Sequence, residues 1–428
     1  MSNEKLKDKP ILKFVHTADL HLGSPFQSMN QYDSKTASKL SAATYDAFNK
    51  IIDLCIDEQV DFLLISGDIY DGKDKNIKAQ LAFRNGLNRL DQHGIKSFIV
   101  YGNHDPLSSW SKKLKLPEET IRFSNDKPEI YVYKSKDGNP IAYIVGASFD
   151  NTKDAKNAVE MFPEKDKEWP FTIGLVHCSI GFHEGHDPYA SIDDLKRCGY
   201  NYWALGHIHK PEILHECEPA ITYSGNPQGR DMGETGPRGC YLITVDQAGQ
   251  MWENFFETSI IRWETIQIPI NDIYSIEDLL EKIRESLIDY SHIQNRDIIC
   301  RIELTGYSQI YPEICNELDL TEYVKIFNEN PIESNFNVIV DKIINHSFPI
   351  IDRNHVKERK DIVGDMCKIV DNLKGSDTNQ KSIHNNLDEL FKNSKYRLEI
   401  NYPNDEELID IIDQAEAILL SKMVGGAE

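Results

Sequence analysis

The sequence contains no run of about 18 apolar residues, so nothing in it reads as a bilayer-spanning helix. Its opening segment, MSNEKLKDKP, has no apolar signal core, and the expectation is a cytoplasmic protein with no membrane attachment. It also lacks a CxxC pair. Its 8 cysteines (Cys55, Cys178, Cys198, Cys217, Cys240, Cys300, Cys315 and Cys367) are scattered over a chain far larger than a disulfide-dependent scaffold, and they read as reduced, mostly packed thiols. Glycine and proline, 24 and 18 of 428 residues, are too sparse for a fibrous or low-complexity chain, and no internal repeat is visible. Positive charge is in deficit: 47 Lys+Arg against 69 Asp+Glu gives a formal net charge of −22. Residues 1–264 hold 30 against 38 and residues 265–428 hold 17 against 31, so the acidity is concentrated in the second part. Such a balance repels a polyanion unless basic patches, metal ions or a partner reverse the field locally.

What is present is an ordinary apolar complement, 40% of residues, in a chain long enough for at least two domains. Short apolar runs bounded by Gly, Asp and Asn recur at Ile11–Val15, Phe62–Ile65, Phe98–Tyr101, Ile141–Val145, Phe171–Val176 and Tyr202–Leu205, with later runs at 221–224 and 240–245. Each has the length of a buried strand. Between the first two, Phe48, Ile51, Ile52, Cys55 and Ile56 fall at three- and four-residue spacing, which places them on one helix face. A second helical pattern over 76–92 carries Ile77, Leu81, Leu87 and Leu90 and stops at Gly94. Residues 11–264 thus predict an alternating α/β layout.

Past Trp263 the pattern changes. A strand at 264–270, a helix at about 275–290 with Leu279, Leu280, Ile283 and Leu287, and IICRIELTG at 298–306 predict a small α+β unit over 265–348. From 349 to 428 the chain becomes helical and acidic, is interrupted by KGSDTNQKS at 374–382, and ends in DEELIDIIDQAEAILLSKM at 405–423. There Leu408, Ile411, Ile412 and Ala415 form an apolar stripe, continued by Ile418, Leu419 and Met423.

The chemistry lies where the strand-like runs end. Asp19 and His21 follow FVHTA, Asp68 follows FLLISG, Asn103 and His104 follow the run ending in YG, His177 follows FTIGLV, and His207 and His209 follow YWALG. Each element alone is an ordinary turn or a half-buried histidine. Together they predict one cluster, because loops leaving the carboxyl ends of strands converge over a rigid platform. Carboxylates, an amide oxygen and imidazoles form a mixed N/O set suited to first-row divalent ions rather than to Ca²⁺. Two such ions, about 3.5–4 Å apart, can hold the attacking and leaving oxygens of an in-line phosphoryl displacement without a serine or cysteine nucleophile.

The motifs ADLHLG at 18–23, SGDIYD at 66–71, GNHD at 102–105, VHCSIG at 176–181 and GHIH at 206–209 resemble those of the calcineurin-like metallophosphoesterases, specifically the SbcD-type DNA repair exonucleases. SGNPQGRDMGETGPRGCYLITV at 224–245 is similar to the YhaO branch of that group. The resemblance covers residues 11 to about 264 and implies a two-sheet α-β-β-α sandwich carrying two divalent ions, with Mn²⁺ the expected metal. It implies one ion held by Asp19, His21, Asp68 and His209 and the other by Asp68, Asn103, His177 and His207, with Asp68 bridging and a metal-bridging hydroxide as nucleophile. His104 is implied as a catalytic group beside the scissile phosphate, stabilising charge or protonating the leaving oxygen. Where some relatives place a phosphodiester-contacting histidine three residues past the bridging aspartate, this chain has Asp71, whose expected role is to orient a metal-bound group.

His16 is expected in the core, His183 and His186 on a loop that is either solvated or lines the substrate groove, and Arg230 either on a phosphate or in a structural ion pair. The domain expectation is a nuclease domain over 1–264, a small capping domain over 265–348 and an acidic helical docking region over 349–428. The activity expected is hydrolysis of DNA phosphodiesters. The alternatives are a metallophosphatase or phosphodiesterase of small phosphate esters and a scaffold subunit of an ATPase complex. Two ions contribute a local positive charge but few backbone contacts, so a partner is expected to supply much of the DNA affinity. The resemblance implies an SbcC-like coiled-coil ATPase bound through the C-terminal helices, with packing of the last helix on its own chain or a homodimer as the alternatives.

Overall fold

The computed structural model describes residues 11–24, 34–70, 77–103, 115–148, 157–181, 188–216, 218–330, 336–375, 381–383, 386 and 403–424. The chain divides into two compact units, Met1–Glu264 with Arg296–Ile299, and Thr265–Asn295 with Cys300–Glu428.

The first unit opens with β1 (Leu12–Thr17), α1 (Ser34–Asp57), β2 (Phe62–Ser66), α2 (Ile77–Gln92), β3 (Lys96–Val100), β4 (Thr120–Arg122), β5 (Glu129–Lys134) and β6 (Pro140–Ala147). It continues with β7 (Phe171–His177), β8 (Ser179–Ile180), β9 (Tyr189–Ala190), α3 (Ile192–Arg197), β10 (Tyr202–Gly206), β11 (Glu212–His215), β12 (Ala220–Tyr223), β13 (Gly239–Val245) and β14 (Met251–Glu257). These strands form two six-stranded sheets, in the orders β14-β13-β1-β2-β3-β4 and β11-β12-β10-β7-β6-β5. The central neighbours β1–β2–β3 and β6–β7–β10–β12 run parallel, and antiparallel strands occupy the outer positions β13–β14, β11 and β5.

Because successive strand side chains point to opposite faces, β1, β2 and β3 each supply two apolar layers. Phe14, Phe62, Leu64, Phe98 and Val100 meet Ile144, Phe171, Ile173, Leu175, Tyr202 and Ala204 of the other sheet in the inner core. Phe14 stacks on Phe62 at 5.1 Å between centroids and meets Tyr202 edge-on at 5.5 Å. Burial of each such ring contributes about 1.5–3 kcal/mol. The opposite faces, with Val15, Leu63, Ile65 and Ile99, pack under Phe48, Ile51, Ile52 and Cys55 of α1 and Phe83, Leu87 and Leu90 of α2. Leu195 of α3 packs with Trp203, Leu205 and Val176 outside the second sheet. The result is the α-β-β-α sandwich expected from the sequence. His16 is fully buried on β1, and its ring contacts Tyr202 Oη at 2.9 Å and Ser66 Oγ at 3.0 Å. Cys55, Cys178, Cys198, Cys240, Cys300 and Cys367 are buried and Cys315 is exposed, while Cys217 lies outside the described residues.

In the second unit, α4 (Ile276–Gln294) is capped by Ser275 and ends at Asn295 in the left-handed region. It precedes β16 (Asp297–Thr305), which lies between β15 (Ile261–Pro269) and β18 (Val338–Asn345) in a three-stranded sheet; β17 (Tyr307–Ser308) pairs with β19 (Phe348–Pro349). Helices α5 (Tyr311–Ile314) and α6 (Glu317–Glu329) follow β17, and α7 (Arg353–Lys357), α8 (Ile362–Lys374) and α9 (Asp405–Val424) follow β19. The terminal apolar stripe is divided by use. Leu408 and Ile412 pack on Val370, and Leu420 packs with Val356, Val363 and Cys367, so α9 is held on α8 of its own chain. Ile411, Ile418 and Leu419 stay 49%, 44% and 46% exposed. Arg353 locks this bundle through Glu416, at 2.8 Å, and Asp371, at 2.6 Å. Among the described residues no helix is long and apolar enough to cross a membrane.

Candidate metal centre

Parallel registry brings the carboxyl ends of β1, β2 and β3 to one edge, with Thr17 beside Ile65 and Ser66 beside Val100. Gly206 and His177 lie side by side at the corresponding edge of the second sheet. Strand β2 packs against both β7 and β10, so the two edges adjoin. The loop after β1 is zipped to the loop after β2 by backbone bonds: Asp19 N–H donates to Gly67 O at 3.0 Å, His21 N–H to Asp68 O at 3.0 Å and Leu22 N–H to Ile69 O at 2.9 Å.

The backbone at this edge is strained. Asp19, His21, Asp68 and His207 have φ of 51°, 41°, 51° and 99°. Among the described residues the only other non-glycine positions with positive φ are Gln59 and Asn295, just beyond the carboxyl ends of α1 and α4. Such conformations cost about 1–3 kcal/mol each and persist where surrounding bonds over-determine them, as the zipped loops do here.

Asp19, His21, Asp68 and His177 are almost completely buried. Two groups of donor atoms fall within 4.8 Å of one another, Asp19 with His21 and His209, and Asp19 with Asp68 and His177. His21 Nε2 faces His209 Nε2 at 3.2 Å, and His177 Nε2 faces Asn103 Oδ1 at 2.9 Å. Asp68 Oδ2 reaches both sides, 3.9 Å from His21 Nε2 and 3.4 Å from His177 Nε2. His207 belongs to neither group of three. Its backbone N–H donates to both Asp19 oxygens at 3.1 Å, and its ring meets that of His177 edge-on at 5.3 Å. Ligands bound to one ion at about 2.1 Å lie about 3 Å apart, so the facing pairs have the spacing of neighbours in a coordination shell. The donor set therefore fits divalent ions.

The second ring nitrogens are already engaged. His177 Nδ1 contacts Ser66 O at 2.8 Å and His209 Nδ1 contacts Glu234 Oε1 at 2.6 Å, which leaves both Nε2 atoms toward the cluster. Burial opposes protonation of His177, yet the Asp68 and Asp19 carboxylates override it and, without an ion, hold its pKa up to about 10. A cation held among these groups would take the place of that proton. Burial of His16, by contrast, drives its pKa down to about 3, so it stays a neutral core residue. Arg230 is in an ion pair, its Nη2 lying 3.2 Å from Glu234 Oε1 and 3.3 Å from His209 Nδ1. Glu234 follows none of the strand-like runs whose ends point to the site in the sequence. His104, Asp71, His183 and His186 lie outside the described residues.

The family model of the calcineurin-like phosphoesterases matches residues 12–211, the span that contains the whole donor cluster. Over 326 residues, 75% of this chain and 78% of the relative, the sequence is 31% identical to the uncharacterized metallophosphoesterase YhaO of Bacillus subtilis (strain 168). The chain belongs to the calcineurin-like phosphoesterase family. This phosphoesterase is also 25% identical over 289 residues to the DNA double-strand break repair protein Mre11 of Methanocaldococcus jannaschii, covering 64% of this chain and 73% of that one. Its identity to a subunit of the nuclease SbcCD of Bacillus subtilis (strain 168) is 22% over 303 residues, covering 62% and 75%. Calcineurin-like phosphoesterases are hydrolases that use divalent metals, and the Asp and His cluster supplies a candidate site for them.

Mn²⁺ is accordingly expected to raise the melting temperature of chelator-treated phosphoesterase, since an ion at 100 times its dissociation constant adds about 2.7 kcal/mol to the folded state. Differential scanning calorimetry with and without metal checks this, and an unchanged transition at saturating Mn²⁺ would contradict it.

Proposed function

We propose that this phosphoesterase is a two-metal nuclease that hydrolyses DNA phosphodiesters, with Mn²⁺ as its ion. The observation that carries the reading is the convergence of two donor groups at one strained strand edge, with Asp68 within reach of both. DNA as substrate is supported by the relatives whose names describe break repair and nuclease activity.

In this reading Asp19, His21, Asp68 and His209 hold one ion and Asp68, Asn103, His177 and His207 the other. When bound, the pair of ions supplies Lewis-acid charge and an activated water for in-line displacement at phosphorus. The chain itself does the positioning. His104 would stand beside the scissile phosphate and Asp71 would orient a metal-bound group.

Residues 1–264 form the nuclease domain in this proposal, 265–348 a cap and 349–428 a docking region. An SbcC-like ATPase would bind the docking region through Ile411, Ile418 and Leu419, the part of the α9 stripe not used internally. Such a partner answers the charge problem, because a net −22 leaves little of the chain's own surface to hold a phosphate backbone. A cytoplasmic location belongs to the same reading.

The test is hydrolysis with Mn²⁺ of three substrates, a phosphodiester dye ester, a phosphomonoester dye ester and end-labelled DNA. Cleavage of DNA and of the diester is expected, and the ATPase partner should increase DNA cleavage. Turnover confined to the monoester would replace the proposal by a small-molecule phosphatase. Silence on all three substrates, with and without the partner, would leave a scaffold role.

A further inference from the structure

We infer that Glu234 is a positioning residue for the metal centre, which acts by holding His209 in the tautomer that presents Nε2 to an ion. The inference rests on the two-metal reading above and assigns a role that the motif resemblance does not supply.

Hydrogen-bond capacity fixes the charge state of this group. Glu234 lies between β12 and β13 with its side chain only 12% exposed. Oε1 faces His209 Nδ1 at 2.6 Å and accepts from Arg230 Nη2 at 3.2 Å. Oε2 accepts from Asn226 Nδ2 at 2.7 Å and from the Arg230 backbone N–H at 2.8 Å. Both oxygens therefore face nitrogen groups, and the three groups other than His209 are obligate donors in this arrangement. A carboxylate has enough lone pairs for every partner. A glutamine does not, because in either orientation its NH₂ group meets at least one obligate donor: Arg230 Nη2 on one side, or Asn226 Nδ2 and Arg230 N on the other. The pocket is thus built for an ionised carboxylate, and the matching state of His209 has its proton on Nδ1 and its lone pair on Nε2, facing His21 Nε2 at 3.2 Å.

The loop that carries Glu234 is itself tethered. Arg238, buried, donates to His209 O and to Asn226 Oδ1, and Asn226 N–H donates to His209 O at 3.0 Å. Trp263 Nε1 donates to Gly229 O at 2.9 Å and Gln228 Nε2 to Ile261 O at 2.7 Å. The carboxylate is therefore fixed relative to the His209 backbone as well as to its ring. His177 is backed differently, by the neutral Ser66 carbonyl. Of these two imidazoles, His209 is thus the one backed by a charged group.

The test is a titration of the full chain with Mn²⁺, reading free Mn²⁺ by electron paramagnetic resonance, for wild type, Glu234→Gln, His209→Ala and the double variant. The wild type is expected to bind two ions per chain. In Glu234→Gln one ion should weaken by roughly 10–100-fold while the other is retained, the range typical for removal of such a partner. In the His209→Ala background the same change should have no further effect, because Glu234 acts through that ring. Glu234→Asp, which keeps the charge but withdraws it from Nδ1, should mimic the glutamine and gives the same readout if Glu234→Gln fails to fold. Unaltered binding of both ions in Glu234→Gln or Glu234→Asp would overturn the inference, as would an equal loss with and without His209. A wild type that binds fewer than two ions would instead overturn the two-metal reading on which it stands.

Discussion

Asp68→Asn is expected to lower diester and DNA turnover by roughly 10³-fold or more, because a bound ion supplies several kcal/mol of transition-state stabilisation and each 1.36 kcal/mol is about tenfold in rate. Asparagine is the informative replacement. Asp68 has φ of 51°, and its backbone carbonyl accepts from His21 N–H at 3.0 Å, so the residue also holds the β1 loop in place. Alanine at that φ would add strain to the loss of the carboxylate and confuse the two effects, whereas asparagine tolerates the left-handed region and keeps the side-chain shape. The metal-free melting temperature should fall by what the buried Asp68–His177 contact at 3.4 Å contributes, without added backbone strain, and the rise that Mn²⁺ is expected to produce in the wild type should be largely lost. Calorimetry and initial rates on the same preparations check both. A variant that keeps both full turnover and the Mn²⁺-induced stabilisation would remove Asp68 from the centre.

The sandwich was legible because its central strands are parallel and buried on both faces, so each appears as a short, mostly apolar run such as Phe62–Ile65 or Phe171–Val176. The polar residues that follow those runs could be grouped for the same reason: parallel strands deliver their carboxyl ends to one edge. Strands β4 and β5 were not legible, since Thr120–Arg122 is only three residues long and Glu129–Lys134 lies at an edge with little burial. The role open to Glu234 depends on groups contributed from positions 209, 226 and 230, and no spacing in a turn-like GETG announces that they meet. His16 shows the intermediate case: a histidine inside an apolar run reads as core, but the pairing with Tyr202 on the opposite sheet and with Ser66 on the adjacent strand exists only after folding. The stripe on α9 was visible as a stripe, yet which side chains it spends on its own chain was decided by the position of α8.

Two glycines with similar steric surroundings separate packing from metal binding. A Cβ on Gly206 would lie 1.9 Å from Ser66 O and 2.8 Å from His177 Nδ1, the two atoms already joined at 2.8 Å. A Cβ on Gly174, in the middle of β7, would lie 2.1 Å from Trp203 Cε3. Neither neighbour can yield cheaply, since Ser66 O belongs to the backbone of a central strand and Trp203 is fully buried with Nε1 bonded to Leu195 O at 3.2 Å. Overpacking of this kind costs about 1–3 kcal/mol or more. Each alanine variant is therefore expected to melt several degrees lower, at about 2–4 °C per kcal/mol. Their Mn²⁺ titrations should diverge. Gly206→Ala must push β10 away from β2 where His207 and His209 leave the second sheet, so it should weaken both ions and lose turnover well beyond the fraction unfolded. In Gly174→Ala the strain falls between β7 and β10 on the face that carries Trp203, and the folded fraction should bind Mn²⁺ as the wild type does. Equal metal affinities in the two variants would mean that the spacing between the sheets at Gly206 does not set the donor geometry.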